Sequence, residues 1–172
     1  AIGIYVGYLL FLLVFILVWN TWKSLVTEKP EISISVIVPF RNEAETLPRL
    51  FNSFKAQSHV AFEVILINDH SEDNCVRVLE DLLKDSPFPF QLHSLSNSFG
   101  KKAAIKKGIE FSTHDLILTT DADCYAGPNW LKGMSYPFNE SSLQMLVGPV
   151  LLVGDSFWQK MQSIEFSSLI GT

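Results

Sequence analysis

Four short apolar runs in this chain each stop at a polar or charged cluster, and segments with helical periodicity lie between them. That alternation limits the possible folds more than any other feature. Residues 32–38, 62–68, 90–95 and 115–120 have the length and the apolar side chains of buried strands. After the first run, Leu47, Leu50, Phe51 and Phe54 recur at helical spacing, with Pro48 in the first turn, where its missing N–H costs little. Asn42-x-x-Glu45 has the spelling of a capping box for that helix. Ser71 can cap a second helix with a Val76, Leu79 and Leu83 stripe, and residues 101–111 make a third. A fifth strand is expected over 144–153, bent by Gly148-Pro149. A last amphipathic helix starts near 155 or 156, with Phe157, Met161, Ile164 and Leu169. Strands alternating with helices predict an α/β fold, a doubly wound and mainly parallel sheet with right-handed crossovers. In such sheets ligands bind beyond the carboxyl ends of the strands.

The chain of 172 residues suits one domain of ordinary size, and its 48% apolar content allows a sizeable core. A formal charge of −5 argues against a general nucleic-acid binder. The two cysteines, Cys75 and Cys124, form neither a disulfide framework nor a zinc spacing. Residues 1–19 are different in kind, because they carry no charge. As a helix they would reach about 28 Å, close to the hydrocarbon thickness of a bilayer. Trp19 and Trp22 suit an interface belt. A signal peptide is the alternative, but no basic start and no small-x-small cleavage site is present. The expectation is therefore a transmembrane helix over 1–22, a polar linker over 23–31 and an α/β domain over 32–172. Lys23 and Lys29 after the span place that domain in the cytoplasm by the positive-inside rule. There the Asn139-Glu140-Ser141 sequon has no meaning.

Four strand ends bring polar groups to one rim: 39–43, 68–71, 96–102 and 121–123. Asp121 and Asp123 are one residue apart and repel unless something positive lies between them. Hard carboxylate oxygens suit Mn²⁺ or Mg²⁺, which typically take one or two carboxylates plus substrate phosphates. The alternative is a pair of solvated turn residues. Asp69 can accept a hydrogen bond from the ring N–H of uracil or guanine, a donor that cytosine lacks, and Asn68 beside it can donate or accept. Alternatively, Asp69 and Ser71 only cap the next helix, and Glu43 is only a first-turn acid favoured by the helix dipole.

Gly100-Lys101-Lys102 opens the third helix, and a helix N-terminus with a lysine attracts phosphate. It is not a Walker A loop, since Leu95 stands where that loop has its first glycine. Lys102, Lys106 and Lys107 read as a solvated face, which leaves Lys101 as the phosphate candidate. The four histidines are scattered without metal-ligand spacing, and only His70 lies on the rim. Cys124 reads as a small packed side chain rather than a nucleophile.

The segments SVIVPFRNEAETLPRLFNSF, FEVILINDHSED, GKKAAIKKGIE and DLILTTDADCYAGPNWL resemble, in order and spacing, the inverting family 2 glycosyltransferases of GT-A fold. The resemblance covers about residues 33–172. It implies the nucleotide-binding half of a GT-A domain and a nucleotide diphospho-sugar donor, usually UDP-linked and sometimes GDP-linked. It places Pro39, Arg41 and Glu43 in the first nucleotide-contacting loop, Asn68 and Asp69 at the base, and Lys101 near the nucleotide. Asp121 then faces the ribose or a metal-bound water, and Asp123 ligates the metal. The reaction it implies is displacement at the anomeric carbon with inversion, a hexosyl or N-acetylhexosaminyl transfer to an envelope glycan or lipid-linked acceptor. Such enzymes often have Asp-Asp after the second strand; here the first of the two is Asn68. The acceptor-side part, its general base and a Gln-x-x-Arg-Trp motif are not found in the chain, so this piece is expected to bind donor without turnover.

Two other readings remain. Haloacid-dehalogenase hydrolases also place Asp-x-Asp after an apolar strand, but after the first strand and with a threonine where this chain has Tyr125. A membrane-tethered nucleotide-sugar binder or scaffold is the non-enzymatic alternative.

Overall fold

The computed structural model describes residues 7, 8, 10, 11, 13, 14, 32–59, 61–139, 142–148, 150, 152, 153 and 156–170, with the side chains of 164–170 left aside. The chain divides into two units, Ala1–Pro30 and Glu31–Thr172. In the first unit, Gly7, Tyr8, Leu10, Phe11, Leu13 and Val14 are helical.

The expected membrane span is corrected here. Among the described residues no helix is long and apolar enough to cross a membrane. The rest of 1–22 and all of the 23–31 linker lie outside the described residues. The single-span, cytoplasmic localisation built on that helix falls with it.

The second unit is a four-stranded sheet with helices. Strands β1 (Ile34–Phe40), β2 (Phe62–Asn68), β3 (Phe90–Ser94) and β4 (Leu116–Thr119) stand in the order β3-β2-β1-β4. Every pairing is parallel. Helices α1 (Leu47–Lys55), α2 (Cys75–Leu83) and α3 (Lys101–Phe111) connect them, and α4 (Trp130–Ser135), a 3₁₀ turn (Tyr136–Asn139) and α5 (Phe157–Ile170) follow. The expected alternation is therefore present, with strand bounds within two residues of expectation.

β1 is buried along its whole length because it pairs on both edges and is covered on both faces. Side chains alternate across the sheet. Val36, Val38, Val64 and Leu66 join Leu47, Leu50, Phe51 and Phe54 of α1 and Leu79 and Leu83 of α2 in one core. Ile37, Ile65 and Ile67 form a second core with Leu95 and Ala104 of α3. The first core contains an aromatic cluster around Phe88, whose ring lies 5.2 Å from Phe62, 5.3 Å from Phe51 and 6.1 Å from Phe54. Such pairs add about 0.5–1.5 kcal/mol each beyond simple burial.

α3 lies very close to β1. A Cβ built on Gly108 would meet the Ile37 side chain, with Cδ1 and Cγ1 both at 3.1 Å and Cγ2 closer still. Ile37 is fully buried and cannot easily step aside. Gly108→Ala is therefore expected to destabilise the chain by up to about 2 kcal/mol, because overpacking costs about 1–3 kcal/mol against a helix-propensity gain of about 1 kcal/mol. Urea denaturation followed by circular dichroism reads this directly. A midpoint equal to or above wild type would refute the close approach.

Three local expectations give way. The Asn42 capping box does not form. Asn42 is left-handed (φ 56°), and α1 begins five residues later, after Thr46. Ser71 does not cap α2, which begins at Cys75 after Asn74. The polar groups of both loops are used across the gap between them, as described below. No strand forms among the described residues of 144–153, where Met145, Val147 and Val153 are exposed. The apolar side chains there fit a strand, but among the described residues no strand pairs with them.

Candidate functional site

The strand order reverses direction between β1 and β4: β2 and β3 are added on one side of β1, and β4 on the other. At such a switch point the flanking loops diverge and leave a crevice beyond the carboxyl ends. The β1 and β4 ends carry Arg41–Glu43 and Asp121–Asp123.

Two loops are stitched together beside this crevice. The Asn42 N–H donates to Ser71 Oγ (3.1 Å), and the Glu72 N–H donates to Asn42 Oδ1 (2.8 Å). The Ala44 N–H donates to Asp73 Oδ2 (3.0 Å), while Asp73 Oδ1 accepts from the Cys75 N–H (3.1 Å). Asn68 Oδ1 accepts from the Ser71 N–H at 2.9 Å, and its Nδ2 faces Ser94 Oγ at 3.4 Å. Asn68 thus holds its own loop in shape. Glu43 turns to α1, where its carboxylate accepts from Thr46 Oγ1 at 2.6 Å. Glu43 lies ahead of α1, whose first turn holds no acidic residue, so the first-turn role weighed above for this acid does not hold. Pro39 lies inside β1, buried and paired with Ile67, so of the three residues assigned to the first loop only Arg41 and Glu43 are in it.

Asp69 is buried at the end of β2. Its Oδ2 accepts from the Gly100 N–H at 2.9 Å, and its Oδ1 lies 3.1 Å from His70 Nδ1. Burial pushes its pKa up, but the Gly100 N–H, His70 and the nearby Arg41 charge outweigh this and hold the carboxyl below its ordinary value. It is therefore an ionised acceptor, fixed in direction, with a second lone pair left on each oxygen. Gly100 has φ 89°, a conformation that a side chain would strain, and it turns the chain into α3. His70 stacks on Phe99 at 4.1 Å, and that phenylalanine ring is exposed.

Asp121 and Asp123 flank Ala122, which is buried, so both carboxylates are exposed on the outside of a turn closed by Cys124 N–H to Asp121 O (3.2 Å). Lys101, the first residue of α3, reaches across to Asp121 with Nζ–Oδ1 at 2.5 Å. The positive charge beside the acidic pair is thus a lysine from another strand end. Among the described residues no third His, Cys, Asp or Glu joins the pair. The donor set still fits a hard divalent cation, because Mg²⁺-type sites complete one or two carboxylates with water and phosphate oxygens. The Cys124 thiol is pushed up by burial and then by Asp123 and Asp121, which agrees with a packed, unreactive side chain.

Sequence reasoning missed the supports of this turn. Gln57, buried beyond the end of α1, donates to Gly127 O (2.8 Å) and accepts from the Leu131 N–H (3.0 Å). The Ser58 N–H donates to Pro128 O at 2.7 Å. The Arg49 guanidinium lies 3.6 Å above the Tyr125 ring. These contacts join residues about 70 positions apart, and nothing in local spacing signals them.

A parallel sheet with acidic and basic groups gathered at its reversal point defines an α/β protein with a candidate ligand site at its carboxyl rim. The chain belongs to glycosyl transferase family 2, whose match spans residues 35–171. A curated relative from Pseudomonas savastanoi pv. phaseolicola is an undecaprenyl-phosphate 4-deoxy-4-formamido-L-arabinose transferase. It is 33% identical over 98 residues, covering 55% of this chain and 29% of the relative. Staphylococcus aureus TarS, solved with UDP-GlcNAc, superimposes with a TM-score of 0.55 at 24% identity, covering 63% of this chain and 31% of that one. The Pyrobaculum calidifontis mannosyltransferase PcManGT, solved with GDP-Man and Mn²⁺, gives a TM-score of 0.54 at 20% identity, covering 64% and 35%. The likenesses to these two structures establish the mainly parallel α/β fold of the GT-A type. The chain spans about a third of the length of these proteins.

Proposed function

We propose that this chain is the donor-binding part of a glycosyltransferase that uses a nucleotide diphospho-sugar and a divalent metal, with inversion at the anomeric carbon. The observation that carries the reading is the meeting of Asp69, Lys101 and the Asp121–Asp123 turn at the strand-order reversal. Asp69 accepts the ring N–H of uracil or guanine. Lys101 and the first N–H groups of α3 receive the diphosphate. Arg41 adds positive charge beside the base pocket. Asp121 and Asp123 hold Mn²⁺ or Mg²⁺. A bound divalent cation supplies neutralisation of the leaving diphosphate as the glycosidic bond to it breaks. The acceptor is proposed to be a lipid-linked or envelope glycan, in keeping with the undecaprenyl phosphate in the name of the Pseudomonas relative.

Calorimetric titration of UDP and GDP into the chain, with Mn²⁺ or with EDTA, tests this. Binding in Mn²⁺ that weakens at least tenfold in EDTA is expected. Equal affinity in both would refute the metal-bridged donor site. A phosphatase assay on simple esters should show no turnover, and measurable hydrolysis would favour the dehalogenase-type alternative.

A further inference from the structure

We propose that Lys101 competes with the divalent metal for Asp121, so that metal and nucleotide diphosphate bind cooperatively rather than independently. This rests on the donor-site reading above. The Lys101 ammonium already contacts Asp121 Oδ1 at 2.5 Å, which is an oxygen that a metal at this turn would need. A dication arriving alone meets a fixed cation beside its ligands and must displace it. A diphosphate arriving alone meets two carboxylates neutralised by a single lysine. When both arrive, the phosphate oxygens give Lys101 a new partner, and Asp121 is freed for the metal. Each ligand thus removes the obstacle to the other, which is a positive coupling between sites.

The pair can open at little cost. The side chain of Lys101 is 59% exposed and that of Asp121 50% exposed. Exposed ion pairs are weak and flexible. Lys101 is the first residue of α3, so its ammonium can swing while its backbone stays held. Gly100 anchors that end by donating to Asp69 and accepting from the Ala104 N–H at 3.1 Å. The switch therefore needs one side-chain rotation and no movement of the sheet.

The test compares the 172-residue chain with Lys101→Met and Lys101→Arg. Free Mn²⁺ is followed by electron paramagnetic resonance, first without nucleotide and then with saturating UDP or GDP. Without nucleotide, Lys101→Met is expected to bind Mn²⁺ about three- to tenfold tighter than wild type, because both a competitor and a nearby like charge are removed. Nucleotide should raise the Mn²⁺ affinity of wild type and of Lys101→Arg more than that of Lys101→Met. Equal or weaker Mn²⁺ binding by Lys101→Met, with nucleotide-promoted binding intact in wild type, would overturn the competition and leave the donor site standing. Absence of any Mn²⁺-dependent nucleotide binding in all three proteins would overturn the donor site, and the competition with it.

Discussion

Asp123→Ala is expected to weaken Mn²⁺-dependent binding of UDP or GDP by about 100-fold, a loss of about 2.8 kcal/mol in metal-mediated charge stabilisation. Asp123 stands on the outside of a turn, next to the buried Ala122, and belongs to no core. The substitution should therefore leave the urea midpoint within about 0.5 kcal/mol of wild type, as for ordinary surface changes. Loss of binding with folding retained separates a metal ligand from a structural residue. Asp121→Asn should behave differently. It removes a metal ligand and also frees Lys101 for the diphosphate, so metal-dependent binding weakens while nucleotide binding without metal holds or tightens. An unchanged dissociation constant for Asp123→Ala would exclude that carboxylate from the site and leave the acidic pair as a solvated turn.

The largest expected loss of stability lies at the opposite end of the strands. Glu63, buried near the start of β2, accepts from Ser35 Oγ (2.6 Å), the Thr113 N–H (2.8 Å) and Thr113 Oγ1 (2.7 Å) on one oxygen, and from Gln91 Nε2 (3.3 Å) on the other. This single carboxylate ties β1, β2, β3 and the segment after α3 together. Glu63→Ala leaves the buried Ser35 hydroxyl without its acceptor and removes the bonds from the exposed Thr113 and half-buried Gln91. At about 1–3 kcal/mol for a buried group left unsatisfied, the expected cost is about 1–3 kcal/mol, since water can reach the Thr113 donors. That is a large part of the 5–15 kcal/mol typical of a native domain. Glu63→Gln should be milder, since its amide oxygen can still receive the Ser35 and Thr113 donors.

The same residue sets an acid limit. Burial raises the pKa of Glu63, but its hydrogen bonds from Ser35, Thr113 and Gln91 outweigh that and leave it below the ordinary value of 4.5. A carboxyl lowered in the folded state contributes stability above its unfolded pKa and loses it as pH falls through the folded one. Denaturation midpoints of wild type should fall as pH drops below about 4.5. Glu63→Gln should flatten that part of the curve, and an unchanged slope would assign the acid sensitivity elsewhere.

The strands and their order along the chain were legible because each is a short apolar run of strand length ending in polar residues. The helix faces were legible because 3.6-residue spacing is local information. What could not be read was the use of side chains across loops. Asn42 and Ser71 have the spelling of helix caps, yet both are spent on the other loop, since the two strand ends lie side by side. The acidic pair was legible as needing a positive partner, but the partner's identity depends on where α3 begins relative to β4. Lys101 and Asp121 were each singled out, while their contact over twenty positions had no sequence signal. The apolar segment over 144–153 was misread because strand propensity cannot supply a neighbouring strand. The span expected over 1–22 rested on hydrophobicity alone, and among the described residues no helix is long and apolar enough to cross a membrane.

The stitching of the β1 and β2 loops has a kinetic consequence. Asn42, Ala44, Ser71, Glu72 and Asp73 form a reciprocal lattice of three short bonds between the loops, so this part of the rim behaves as one rigid plate. Its ordering entropy is lost during folding and is not charged again to the ligand. Capture of a nucleotide should then be rapid, single-phased and free of a slow isomerisation, with residence time governed by the contacts made after arrival.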